Sequence, residues 1–277
     1  MDIRALTPAD EAALEAFLIE HRDSSMFLRS GVRRGNLAQA VYAGAFLDGR
    51  LVGVVSHGLS GVVLVQAPKF LPDLARACVA WSARAVTGLS GPRAQVHETR
   101  TLLELDTADV LLQSDEGLYA LALADFRVPE ALSAGGVACR APRPDERDTL
   151  CAWRLAYDLE AIGATDTPAQ RARATAALDA QIASGNAWVA VENDRPVSLA
   201  AFNAALPDIV QLGGIYTPPE LRGRGFAKVA VAGSLLAAQD RGASRAVLFT
   251  NNPSAVRTYE ALGFRLVGDY SVVLFKS

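Results

Sequence analysis

Residues 209–227 read Ile209-Val210-Gln211-Leu212-Gly213-Gly214-Ile215-Tyr216-Thr217-Pro218-Pro219-Glu220-Leu221-Arg222-Gly223-Arg224-Gly225-Phe226-Ala227, and this stretch decides the fold. It opens as an apolar strand that ends at Tyr216. Pro218 and Pro219 stop further pairing, because proline has no N–H to give to a ladder. Arg222-Gly223-Arg224-Gly225 then leads into an Ala- and Val-rich helix, expected from about Gly225 to Arg241 and closed by Gly242. The glycines permit backbone angles barred to other residues. Several N–H groups can therefore turn the same way into an anion-binding nest, backed by the helix N-terminus. The arginines add charge-assisted hydrogen bonds. A strand, a glycine-rich turn and a helix in this order form a pyrophosphate cradle in an α/β fold. The pattern is neither GxxxxGK[ST] nor a GxGxxG after a first strand, so the two commoner phosphate loops are excluded.

Outward from this stretch, the second half reads as alternating elements. Val137–Arg140 is a short strand, Pro144-Asp145 opens a helix that ends near Gly163, and Thr167-Pro168 opens another that ends near Ser184-Gly185. Ala187–Val191 and Val197–Ala204 read as strands joined by a short turn. Ala246–Thr250 reads as a buried strand, Asn252-Pro253 starts a helix that Gly263 ends, and Phe264–Val267 and Tyr270–Phe275 close the sheet. The first half has a similar order. A strand at residues 2–6 precedes a helix that starts at Thr7-Pro8 and runs to about His21. Asp48-Gly49-Arg50 joins Tyr42–Leu47 to Leu51–His57 as a hairpin, and Gly61–Gln66 follows as a strand. Pro72–Val86 reads as an amphipathic helix closed by Gly88, and Ala94–His97 and Tyr119–Leu123 read as later strands. The small-residue stretch Ser133-Ala134-Gly135-Gly136 is the expected linker, giving domains at 1–134 and 137–277.

Composition narrows the function class. The chain has 277 residues, 51% of them hydrophobic and 21% charged, enough to bury the cores of two domains. The net charge is -3 with no dense Lys/Arg block, so no nucleic-acid partner is expected. Three cysteines without CxxC spacing and three scattered histidines predict neither a disulfide framework nor a metal site. An early Asp2, and no apolar run near the roughly 20 residues that span a bilayer, predict a cytoplasmic protein without a membrane partner.

Arg222-x-x-Gly225-x-Ala227 resembles the coenzyme A signature [QR]-x-x-G-x-[GA] of the GNAT superfamily of N-acetyltransferases. The flanking "YTPPELRGRGFA", "VLFTNNPSAVRTYEALGF" and terminal "VVLF" resemble the family's central strand, splayed strand, penultimate helix and last strand, over about residues 137–277. The first half has no Arg or Gln followed by Gly three on and Gly or Ala five on. The similar element order therefore suggests two GNAT-like acyl-CoA N-acyltransferase modules in tandem on an α+β mixed sheet, the N-terminal one degenerate.

The resemblance implies an acetyl-CoA co-substrate and a small-molecule or peptide amine acceptor. It assigns the cofactor to Gly214, Ile215, Tyr216, Thr217, Arg222, Gly223, Arg224, Gly225, Phe226, Ala227 and Asn252. It assigns the general acid to Tyr259, which also shares a helix face with Ala255 and Leu262 and fits a core position. Asn252 equally fits a helix cap before Pro253. Relatives often carry a carboxylate on the central strand, but Ile209-Val210-Gln211-Leu212 has none, so the base is unassigned. On the helix after Asp145, the stripe Leu150, Trp153, Tyr157 and Glu160 marks an acceptor side, with Glu160 offered to a cationic amine or left as a solvated helix end. Two other readings remain: a non-catalytic acyl-CoA-binding sensory protein, and an aminoacyl-tRNA-dependent transferase, against which the acidic balance and intact loop both speak.

Overall fold

The computed structural model describes residues 1–161 and 163–276. Contacts divide the chain into two units: Met1–Leu118 together with the segment from Val267 onward, and Tyr119–Leu266. The division falls before the expected linker. Gly135, at φ 75°, serves instead as a local turn inside the second unit.

The first unit starts with Asp2–Ala5 (β1), Glu11–Glu20 (α1) and Met26–Arg33 (α2). Helix α2 was not read from the sequence. Its Arg29 is 1% exposed and donates to Glu15 at 2.7 Å, so a buried charge interrupts the apolar pattern. Val41–Leu47 (β2) and Arg50–His57 (β3) form the expected hairpin. Asp48 and Gly49 both take positive φ, 51° and 77°, as a two-residue turn matched to strand twist requires.

Val62–Gln66 (β4) leads to Leu71–Ser82 (α3). That helix stops at Ala83, in the left-handed region at φ 51°, rather than at Val86. Gly88 opens a strand, Gly88–Pro92 (β5), and the residues expected as a strand at 94–97 lie in the helix Arg93–Leu102 (α4). Two glycines and a proline disguised β5. The glycines are needed because a Cβ on Gly88 would lie 2.7 Å from the Val273 carbonyl oxygen and one on Gly91 2.5 Å from that of Val65. Fully buried Val96 and Thr99 show the three-residue spacing of a helix, which a four-residue window read as alternation. Strands β1 to β5 are neighbours in that order, with only β4 and β5 parallel.

Val110–Ala122 (β6) crosses the division. The second unit continues through Glu130–Ser133 (α5), Ala138–Arg140 (β7), Arg147–Ala161 (α6) and Pro168–Ala183 (α7). It then runs through Ala187–Glu192 (β8), Arg195–Ala205 (β9), Ile209–Tyr216 (β10), Phe226–Asp240 (α8), Arg245–Thr250 (β11) and Pro253–Leu262 (α9). Its strands lie in the order β11-β10-β9-β8-β7. Val210 and Leu212 share a core with Val229, Leu235 and Phe202 on the α8 face. Leu150 and Leu178 pack on Val189 and Leu199 on the α6–α7 face. Gly233 lets α8 approach β7, since any Cβ there would strike Cys139. Burial pushes that thiol's pKa up to about 12, as it does for Cys78, which suits inert packing residues.

The last strand, Arg265–Phe275 (β12), is continuous where two segments were expected. From Val267 on it belongs to the first unit, where it pairs antiparallel with β5, Tyr270 opposite Pro92 and Leu274 opposite Gly88. Among the described residues no helix is long and apolar enough to cross a membrane, and no group of His, Cys, Asp or Glu could hold a metal ion.

Candidate active site

Strands β10 and β11 are parallel and pair at only three positions, Ile209 with Arg245, Val210 with Ala246 and Gln211 with Val247. Both strands continue past this point, so the sheet opens from Leu212 onward. On its other edge β10 pairs with β9, but the register shifts between Gly213 and Tyr216. Gly214 sits in that bulge at φ 65°, a left-handed conformation that glycine adopts without Cβ strain. A second shift lies between Gln211 and Leu212, where Asn203 is the extra residue on β9. Its amide lies directly over Gly213, where any Cβ would collide with it. The backbone groups of residues 212–216 facing β11 are thus left without a strand partner.

Beyond Tyr216, a short turn at Pro219–Leu221 brings the chain to Arg222-Gly223-Arg224-Gly225. Gly223 and Gly225 have φ of 76° and 82°, and nothing lies within 4 Å of where their Cβ atoms would be. Gly225 is the N-cap of α8 and, being glycine, brings no side-chain cap to that helix end. Its first N–H groups have no partner within the helix and carry the partial positive charge of a helix N-terminus. Arg222 donates to the Thr217 carbonyl at 2.9 Å and to Glu160 at 2.6 Å, and stacks over Tyr216. The Glu160 hydrogen bond raises its guanidinium pKa. Arg224 lies over the Phe226 ring and donates to Glu192 at 2.8 Å. The cradle offers backbone donors and two guanidinium groups, which suits a diphosphate.

The acceptor-side residues proposed from the sequence have these neighbours. Trp153 lies with its ring centroid 6.4 Å from that of Tyr216, and Tyr157 lies under the Arg154 guanidinium. Glu160 is exposed and pairs with Arg222. On α6, Leu150 and Asp158 are buried, Arg154 is partly buried, and Trp153 packs against the core of Leu150 and Leu178. Arg154 Nε donates to Asp158 Oδ1 at 3.0 Å and Nη1 to Gln181 Oε1 at 3.1 Å. Gln170 donates to Asp158 Oδ2 at 2.8 Å. The i,i+4 spacing of Arg154 and Asp158 is a legible signal for this pair.

On α9, Tyr259 is buried, edge-on to Phe264 at 5.8 Å between centroids, and belongs to the core beneath α8. Asn252 Oδ1 accepts from the backbone N–H of Ser254 at 2.9 Å and of Ala255 at 3.3 Å, so its oxygen caps α9. Gln211, level with the last β10–β11 pair, is 3% exposed. Its Nε2 donates to the Leu212 carbonyl at 2.7 Å, and its Oε1 is buried without a hydrogen-bond partner.

The corresponding loop of the first unit, Gln66 to Phe70 before α3, is built differently. Phe70 takes the left-handed N-cap position at φ 59°. The Ala67 N–H is occupied by Gln95 at 2.7 Å, and Gln66 accepts from Ser24 at 2.7 Å.

A family model described as the Acetyltransferase (GNAT) family matches residues 153–264, which lie within the second unit. No curated protein matches the sequence. Solved structures match over nearly the whole chain. A GCN5-related N-acetyltransferase from Kribbella flavida is 19% identical with a TM-score of 0.58, covering 99% of this chain and 97% of its own. One from Sphaerobacter thermophilus is 20% identical at 0.57, covering 98% and 94%. A Drosophila protein of 10% identity superposes at 0.66 over 99% and 98%. At these identities the likeness is one of fold, and it extends over both units.

Proposed function

We propose that the protein moves an acetyl group from acetyl-CoA to a primary amine of a small molecule or peptide, by direct attack when both are bound, a reading supported by the match of residues 153–264 to the Acetyltransferase (GNAT) family model. The observation that carries this reading is the opening of β10 from β11 after Gln211, with the Gly214 bulge beside it and the Arg222–Gly225 cradle next in the chain. The clear space at Gly223 and Gly225 fits a diphosphate. Bound acetyl-CoA supplies an activated thioester.

Each residue then has a task. The N–H groups of residues 223–227, with Arg222, Arg224 and the ring of Phe226, hold the diphosphate. Backbone groups of Gly214, Ile215, Tyr216 and Thr217, freed by the splay, hold an amide-bearing chain and orient the carbonyl. Asn252 fixes the start of α9 and so the position of Tyr259. The new N–C bond forms as the C–S bond breaks; the amine gives up one proton, and the sulfur gains one from the Tyr259 hydroxyl, which takes a proton back from water. The Gln211 amide is no base, so the amine arrives neutral and the proton it loses on forming the amide passes to water. The test is free-thiol release from acetyl-CoA over amino acids, polyamines, aminoglycosides and peptide N-termini. Cofactor binding without turnover of any amine would favour the non-catalytic reading.

Two expected results follow from the cradle. Glu160 holds Arg222 through an exposed ion pair, and a diphosphate must compete with that carboxylate. Glu160→Gln should therefore tighten CoA binding by up to about fivefold, the range of exposed ion pairs, and the gain should shrink as salt rises. Calorimetry at two ionic strengths reads both. The first unit's loop lacks glycine and has its Ala67 donor occupied, so titration should give one acetyl-CoA per chain. A stoichiometry of two would place a second site in the first unit.

A further inference from the structure

The face of β10 toward α6 and α7 carries more polar groups than a packing surface needs. Val210 and Leu212 point into the α8 core, so Gln211 and Gly213 point to the opposite face. There Gln181 Nε2 reaches the Phe202 carbonyl at 3.3 Å and Asn203 Oδ1 at 3.4 Å, and Asn203 covers Gly213. Arg154 is fixed through its Asp158 and Gln181 bonds, with only 14% of its side chain exposed. Its Nη1 lies 3.7 Å from where a Gly214 Cβ would sit, against the bulge beside the opened strands. Among the described residues its Nη2 makes no hydrogen bond.

We propose that Arg154 determines acceptor specificity by holding a carboxylate, so that the acceptor is an amine that also carries a carboxylate group, as an amino acid does. This rests on the transferase reading above. Charge on α6 favours it. Asp158 is spent on Arg154 and Gln170, and Glu160 on Arg222, so neither is left to hold a second ammonium group. A guanidinium positioned by two partners loses little entropy when it takes a carboxylate. The unpartnered Gln211 Oε1, on the same face, is an acceptor for an amine N–H. Donor and acceptor on one face match the two ends of such a molecule.

The test is calorimetric titration of the CoA-saturated protein with a panel of amino acids and their carboxamides, alongside thiol release from acetyl-CoA. The acids should bind and react better than the amides by about tenfold or more, the scale of a hydrogen bond to a charged group. Arg154→Met alone would leave Asp158 buried without its cation, so the informative variant is Arg154→Met combined with Asp158→Asn. It should bind acid and amide alike while keeping its CoA affinity, and Arg154→Lys should retain part of the preference. Equal binding of acid and amide by the unaltered protein, a preference that survives the double change, or no binding of any acid would each overturn the assignment. Acid binding that persists without any acetyl-CoA binding would strike the transferase reading alone.

Discussion

Replacing Tyr259 with phenylalanine should lower turnover by about 10²–10⁴, the usual contribution of a positioned general acid, while acetyl-CoA affinity stays nearly unchanged. The ring is buried between the α8 core and Phe264, and the neighbouring Leu262 is fully buried. A phenyl ring keeps that packing, so the variant retains its fold and loses only the hydroxyl. The measurement is kcat with saturating acceptor, under conditions where chemistry limits, with the melting temperature as a check on the fold. The loss should appear in kcat with little change in KM, because the proton is delivered only as the C–S bond breaks. A kcat equal to that of the unaltered protein would return Tyr259 to a purely packing role.

Gly225→Val should abolish the heat stabilisation given by acetyl-CoA, about 2.7 kcal/mol at a hundredfold excess over Kd. Two effects combine. At φ 82° a β-branched residue costs about 1–3 kcal/mol, so the loop is driven out of its left-handed conformation at Gly225. The side chain also enters the space that is clear around Gly225. The comparison is between melting temperatures with and without ligand for the same variant, which separates lost binding from lost stability. A ligand-induced shift that survives would show that the cradle is not where the diphosphate binds.

The cradle was legible because its chemistry is local: glycines, prolines and arginines act within a dozen residues. The hairpins at Asp48-Gly49 and Asn193-Asp194 were legible for the same reason, since their positive φ values depend on the turn residues themselves. Strand β5 was not. Its glycines answer to close neighbours, Val273 and Val65, that only the folded chain brings near. On α6 the aromatic stripe suggested an inner face at Trp153 and Tyr157. Trp153 does pack on the core with Leu150, but the stripe gave no sign that the helix also buries Asp158 beside a partly buried Arg154, whose opposite charge offsets the cost of that burial. The division between units was also hidden, because no composition change marks the point where β6 passes from one to the other.

Strand β12 gives the two units different histories during synthesis. Tyr119–Leu266 is continuous and is complete as soon as its own residues have left the ribosome. Met1–Leu118 emerges earlier but waits with one edge of β5 unpaired, because the strand that covers it starts at Val267. At about 5–20 residues per second, the wait is on the order of ten to thirty seconds. An open strand edge held that long is a template for other chains, and in β5 the run Gly88-Leu89-Ser90-Gly91-Pro92 answers this hazard. Its two glycines and proline make a poor partner for any foreign strand, so the residues that hid the strand from the sequence reading also guard it until its own partner is made.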